Sequence, residues 1–172
     1  MQSNRTTGRQ LRGKCKPIRM VIMDVDGVLT DGRIMYGDDG SEYKLFDAHD
    51  GYGIERGAQK GLRFAIVSGR SSKATAKRAR ELGVAEIHQG VKDKTVIARQ
   101  VCGRLGFNQK EVCFIGDDEL DVPLLKTVGL SAAPDDAVPV VRDLVDYVAR
   151  ARGGRGAVRE VVDLILKAKN LI

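Results

Sequence analysis

The 172-residue sequence predicts an α/β protein in which a parallel sheet is flanked by helices on both faces. Three observations carry that expectation. Short apolar runs alternate with amphipathic runs of helical period, and the connections between them are short, as in repeated strand–helix units. Three of the apolar runs stop abruptly at polar residues: 18–23 at Asp24, 62–67 at Ser68, and 112–115 at Gly116-Asp117. Carboxylates crowd two of those stops, with Asp24 and Asp26 at one and Asp117, Asp118 and Asp121 at the other. Ligands of parallel sheets bind just beyond the carboxyl ends of strands, so the acidic groups stand where a binding site belongs.

The elements follow in order. Residues 1–17 are polar and basic (Arg5, Arg9, Arg12, Lys14, Lys16) and lack the apolar stretch of a signal peptide, so they read as a flexible tail ahead of a single domain over 18–172. Residues 18–23 form the first strand. A protruding hairpin follows, with arms at 33–36 and 42–46 around a Gly37-Asp38-Asp39-Gly40 turn. Residues 50–60 make a helix closed by Gly61, and 62–67 a second core strand. Ser71 reads as the cap of a helix reaching Leu82, before a short strand at 85–88. In the helix over 93–105, Ile97, Val101 and Leu105 repeat every four residues, and Gly106 ends it. After the strand at 112–115 come a helix through Leu120, Leu124 and Leu125, short strands at 128–131 and 147–148, and a last helix over 157–169. The stretch Arg152-Gly153-Gly154-Arg155-Gly156 has two readings, a loop leading into that helix or a flexible segment reaching for an anion.

Composition narrows the function. Hydrophobic content of 42% with 30% charged residues is that of a soluble globular domain. No apolar run nears the roughly 20 residues that span a bilayer. The formal charge of +6 is spread over the tail and over helix faces such as Lys73, Lys77, Arg78 and Arg80. With four Phe, four Tyr and no Trp to stack bases, it argues for an anionic small substrate rather than nucleic acid. Three cysteines without a C-x-x-C pair support neither a disulfide framework nor a zinc site and fit a reducing cytoplasm.

The strand ends and Lys94, which opens the helix after the third strand, together supply a nucleophilic carboxylate, a hydroxyl, a cation and further acidic ligands. Every acidic candidate is an oxygen donor and no His/Cys cluster accompanies them, so a hard ion such as Mg²⁺ is the metal they suit. Such a set can hold a phosphoryl dianion against Asp24, and phosphoryl transfer needs positioning and charge stabilisation above all.

The run Asp24-Val25-Asp26-Gly27-Val28-Leu29-Thr30, then Ser68-Gly69-Arg70, then Lys94, then Gly116-Asp117-Asp118-Glu119-Leu120-Asp121 resembles the four motifs of haloacid dehalogenase-superfamily phosphatases. All four occur in order over nearly the whole chain, a pattern far more specific than Asp-x-Asp alone. Thr30-Asp31-Gly32, Asp50-Gly51-Tyr52-Gly53-Ile54 and the 153–160 stretch are similar to the capless subgroup that includes the KDO 8-phosphate phosphatases. The resemblance implies a Rossmann-like sheet without a cap domain, a Mg²⁺ cofactor, a sugar-acid phosphate substrate, and a homotetramer built through the hairpin. By the same resemblance Asp24 is the nucleophile, Asp26 the general acid and base, and Ser68 and Lys94 the phosphoryl holders. The metal ligands it implies are Asp24, Asp117 and the carbonyl of Asp26, with Asp118 and Asp121 orienting them. Substrate contacts are expected from Asp26, Asp47, His49, Asp50, Gly51, Gly69, Arg70, Arg78, Lys94 and Arg155.

Two differences touch specificity. In that subgroup the substrate loop reads about Asn-Val-Arg-Asp-Gly and a basic residue follows Asp-Gly-Tyr-Gly-Ile. Here the loop is Asp47-Ala48-His49-Asp50-Gly51 and Glu55 holds the following position. Positive charge is lost where a sugar-acid carboxylate would sit, which leaves a nonulosonate 9-phosphate as an alternative substrate. A non-catalytic oligomerisation domain is the alternative from another class, but such domains lose motif residues that are all present here.

Overall fold

A computed structural model of the chain describes residues 8–172. Its centre is a six-stranded sheet in the order β5-β4-β1-β6-β7-β8, with every neighbouring pair parallel. The strands are β1 (Met20–Met23), β4 (Arg63–Val67), β5 (Glu86–His88), β6 (Val112–Ile115), β7 (Leu130–Ala133) and β8 (Tyr147–Val148). The remaining two, β2 (Met35–Tyr36) and β3 (Glu42–Tyr43), pair antiparallel as the separate hairpin. The helices are α1 (Gly8–Cys15), α2 (Ala48–Gln59), α3 (Lys73–Glu81), α4 (Lys94–Leu105), α5 (Val122–Leu125), α6 (Pro139–Leu144) and α7 (Ala157–Ala168).

The strand period of two builds the two cores. Val21 and Met23 of β1, with Phe64, Ile66, Cys113 and Ile115, face one layer with Ile54 of α2 and Val158, Val161, Val162 and Ile165 of α7. Met20 and Ile22, with Ala65, Val67, Val112 and Phe114, face the other, with Ala98 and Val101 of α4, Leu124 of α5 and Val141 of α6. Both faces of β1 are therefore sealed, as a continuous apolar run at the centre of a parallel sheet requires.

The structure corrects several sequence expectations. Residues 1–7 of the expected tail lie outside the described residues, but 8–17 are not a loose tail: Gly8–Cys15 is helical. Leu11 and Cys15, four apart, turn one flank onto the core, where Cys15 is fully buried. Arg12 donates to Asn170 at 3.0 Å and Lys169 to the carbonyl of Lys16 at 2.7 Å, tying α1 to the end of α7. Helix α2 begins at Ala48, ahead of Asp50, because Asp47 caps it through the N–H of His49. Ser72, not Ser71, precedes α3. On α4 the buried stripe is Lys94, Ala98, Val101 and Cys102, while Leu105 is partly exposed. A 3₁₀ turn at Glu119–Asp121 replaces the first turn of the expected helix and turns Leu120 out to 81% exposure. The strand expected at 128–131 is shifted to Leu130–Ala133, and the helix at Pro139–Leu144 had no counterpart in the sequence reading.

Candidate active site

The chain leaves β1 for β4 and β5 on one side of the sheet, then returns to build β6, β7 and β8 on the other. The reversal falls between β1 and β6, and such switch points open a crevice at the strand ends. Met23 lies opposite both Ile66 and Ile115, so Asp24, Val67-Ser68 and Gly116-Asp117 emerge side by side. The N–H of Asp24 still donates to the carbonyl of Ile115 at 3.0 Å, which extends the ladder one residue and fixes the Asp24 backbone. The sheet itself is the jig.

Lys94 arrives from across the cleft because it opens the buried stripe of α4. Its ammonium donates to Asp24 Oδ2 at 2.5 Å and to Asp121 Oδ1 at 2.6 Å. Burial works against its charge, but the two carboxylates carry its pKa above the ordinary lysine value. Lys94 is buried, while Lys92, two residues earlier, lies exposed on the rim of the same cleft. Ser68 is buried, with its hydroxyl 3.4 Å from the N–H of Arg70.

Asp24, Asp117 and Asp121 offer one oxygen each within 4.8 Å of one another. Asp121 is fully buried and committed: Oδ1 accepts from Lys94, and Oδ2 from the N–H groups of Asp117 at 2.9 Å and Asp118 at 3.4 Å. Asp117 is the opposite case. Its Oδ1 is buried with no hydrogen-bond partner, and burial, with the charges of Asp24 and Asp121, pushes its pKa up to about 8. Asp24 is likewise raised by burial, against the pull of Lys94. The unpartnered Asp117 oxygen, beside the like charges of Asp24 and Asp121, fits a hard divalent cation, which would supply charge that Lys94 alone does not balance. Gly27, at φ +84°, lets the backbone pass over this corner: a Cβ there would lie 2.0 Å from Asp117 Oδ2.

Sequence reasoning missed one part of the site. Lys44 and Glu42 fold back from the hairpin: Lys44 pairs with Asp26 Oδ1 and lies 3.3 Å from Glu42, and Glu42 accepts from Arg70 at 2.9 Å. The alternation Glu42, Lys44 against Tyr43, Leu45 was the available signal, since it gives the hairpin a charged face and an apolar one.

Comparison with known proteins agrees with this geometry. The family model for haloacid dehalogenase-like hydrolases matches residues 54–129. The 3-deoxy-D-manno-octulosonate 8-phosphate phosphatase of Escherichia coli is 42% identical over 156 residues, 91% of this chain and 83% of that protein. The chain belongs to the haloacid dehalogenase-like hydrolase family. The phosphatase of the same name from Yersinia pestis is 44% identical over 89% of this chain and 82% of its own. A crystal structure of the Moraxella catarrhalis 3-deoxy-D-manno-octulosonate 8-phosphate phosphatase with magnesium, phosphate and KDO superposes with a TM-score of 0.93. It is 39% identical and covers 95% of this chain and 94% of that one.

In this haloacid dehalogenase-like hydrolase, Asp24, Asp26, Ser68, Gly69, Arg70, Lys94 and Asp117 line one cleft of about 220 Å³. The other residues expected from sequence lie elsewhere in the chain. Asp50 is buried and accepts the N–H groups of Gly156 at 3.2 Å and Arg159 at 2.8 Å, which holds the start of α7 and withdraws it from any sugar contact. Asp47 caps α2 and lies 3.0 Å from the exposed His49 ring. Gly51 makes room for Arg78, whose Nη2 would be 2.3 Å from a Cβ there. Gly153 and Gly154 are wedged against the loop after β1, where a Cβ on Gly153 would lie 1.8 Å from the carbonyl of Gly27. That contact accounts for the glycines by packing, while Arg155 extends outward, 68% exposed and 4.0 Å from Asp31. Among the described residues no helix is long and apolar enough to cross a membrane.

Proposed function

We propose that the protein is a Mg²⁺-dependent phosphatase that hydrolyses 3-deoxy-D-manno-octulosonate 8-phosphate to KDO and phosphate. The observation that carries this reading is the buried Asp24 at the switch point, 2.5 Å from Lys94 and beside the unpartnered Oδ1 of Asp117. The likeness to the Moraxella catarrhalis structure with magnesium, phosphate and KDO supports the substrate.

An Asp24 oxygen attacks phosphorus, the bond from phosphorus to the sugar oxygen breaks, and Asp26 gives its proton to the departing alkoxide. Asp26 then takes a proton from water, whose oxygen attacks phosphorus and releases phosphate from Asp24. Asp26 Oδ2, buried and without a hydrogen bond, is the oxygen available for both transfers. The Ser68 hydroxyl and the Lys94 ammonium hold phosphoryl oxygens. Asp24, Asp117 and the Asp26 carbonyl hold Mg²⁺, which neutralises charge on the phosphoryl group and the carboxylates. Asp121 keeps Lys94 and the 117–118 backbone in line, because both its oxygens are engaged.

Gly69 and Arg70 face the sugar from within the cleft, and His49, Asp47, Arg78 and Arg155 contribute from the rim or from a neighbouring copy. The exposed Ile34, Met35 and Leu45 of the hairpin support a homotetramer that closes the cleft in place of a cap. Three buried free thiols suit the cytoplasm.

A second substrate reading, a nonulosonate 9-phosphate, is favoured by Glu55 and by the Asp47–Gly51 loop, where charge is removed. Phosphate release from a panel of sugar phosphates, with Mg²⁺ and with EDTA, tests both. The highest kcat/KM is expected for 3-deoxy-D-manno-octulosonate 8-phosphate, abolished by EDTA. A preference for a nonulosonate 9-phosphate would move the substrate but keep the chemistry, and no turnover of any ester would end the enzymic reading.

A further inference from the structure

The hairpin carries a closed ring of alternating charge. Asp26 Oδ1 pairs with Lys44, Lys44 lies 3.3 Å from Glu42, Glu42 Oε2 accepts from Arg70 at 2.9 Å, and Arg70 Nε returns to 3.5 Å from Asp26 Oδ2. Strand geometry produces it. Tyr36 and Glu42 are directly opposed across the two strands, and Lys44 is two residues from Glu42, so all three project from one face of the hairpin. Tyr36 also accepts from Arg70, at 3.2 Å. The other face carries Met35, Tyr43 and Leu45, each more than half exposed.

Lys44 is the unusual member. Its side chain is only 2% exposed, on a two-stranded hairpin whose outer face lies open to water. Lysines are almost never buried to this degree unless paired, and here both partners are carboxylates. A buried pair of this kind is weak evidence for stability, so its consequence is sought in the geometry it imposes. That geometry is asymmetric. One oxygen of Asp26 is clamped by Lys44, while the other, buried and without a hydrogen bond, has only the Arg70 guanidinium 3.5 Å away, and Asp26 lines the cleft.

We propose that Lys44 is a positioning residue for Asp26, holding one carboxylate oxygen so that the other meets the leaving group and the hydrolytic water. Glu42 completes the device by fixing Lys44 from behind and Arg70 from the side. The hairpin thereby orders the acid–base group of its own chain through its inner face, whatever its outer face packs against. This inference rests on the phosphatase reading and on Asp26 as its proton carrier.

The test uses two substrates that differ in their need for an acid. A sugar alkoxide is a poor leaving group and needs a proton, whereas p-nitrophenolate departs nearly unaided, and kcat/KM reports only the steps through that departure. Lys44→Met should lower kcat/KM for the sugar-acid phosphate by about tenfold to a hundredfold, a share of the range for acid–base catalysis, and leave that for p-nitrophenyl phosphate within about threefold. Lys44→Arg, which keeps the charge, should recover most of the loss. Glu42→Gln should show the same selectivity more weakly, and it decides the matter if Lys44→Met folds poorly. Equal losses on both substrates, no loss on either, or no recovery with arginine would overturn the role. A wild-type protein that hydrolyses neither ester would overturn the phosphatase reading as well, which separates the two failures.

Discussion

At the scale of single residues, the account divides labour among carboxylates that look alike in sequence. Asp26 and Asp117 lie at neighbouring strand ends and each has an oxygen without a hydrogen bond. Asp26, however, is clamped through its other oxygen to Lys44, while burial and the charges of Asp24 and Asp121 push the pKa of Asp117 up to about 8. Asp117→Asn should therefore weaken Mg²⁺ binding strongly. Asp26→Asn should leave it largely intact and slow turnover by about 10² to 10⁴, the range for lost acid–base catalysis. Titration calorimetry with Mg²⁺ on both variants checks this, and equal loss of affinity would contradict it. The motif carboxylates were legible in the sequence because each follows an apolar strand directly. Their individual duties were not, since these depend on which hydrogen bonds each oxygen makes once Lys94 and Lys44 have come in from distant elements.

At the scale of elements, the strands that carry the site were legible for the same reason, while α1 was not. Its eight residues GRQLRGKC are mostly polar, and only Leu11 and Cys15 mark a buried flank. Tertiary contact with α7, rather than local propensity, makes this segment a helix. Cys15→Ser would bury a hydroxyl in that apolar contact at a cost of about 1–3 kcal/mol if it finds no partner. Thermal melting should show the loss, and an unchanged midpoint would mean that α1 contributes little to the core. In the 153–156 loop the glycines are spent on packing against the loop after β1, as a loop leading into the helix requires, while Arg155 extends outward 4.0 Å from Asp31. Arg155→Ala should raise KM for the sugar-acid phosphate more than for p-nitrophenyl phosphate, which has no carboxylate to hold. Equal effects in a steady-state comparison would assign Arg155 to structure alone.

At the scale of the whole molecule, the absence of a cap from the described residues 8–172 leaves the 220 Å³ cleft edged by the exposed Leu120, and the outer face of the hairpin is exposed and apolar as well. A two-stranded hairpin is marginal alone, so pairing among copies would both stabilise it and shield the site. Light scattering at micromolar concentration should give a tetramer mass, and a monomer would refute that assembly. Mg²⁺ should also raise the thermal midpoint, because an ion bound only by the folded state stabilises it by about 2.7 kcal/mol at a hundred times its Kd. The central claim, however, is chemical: Asp24 carries the phosphoryl group between sugar and water. Its most direct test is an acid quench of the protein turning over phosphate-labelled 3-deoxy-D-manno-octulosonate 8-phosphate with Mg²⁺, followed by peptide mapping of the label. The account predicts label on the peptide holding Asp24 and its disappearance, with turnover reduced by several orders of magnitude, in Asp24→Asn. Label on Ser68, or undiminished phosphate release by Asp24→Asn, would contradict it.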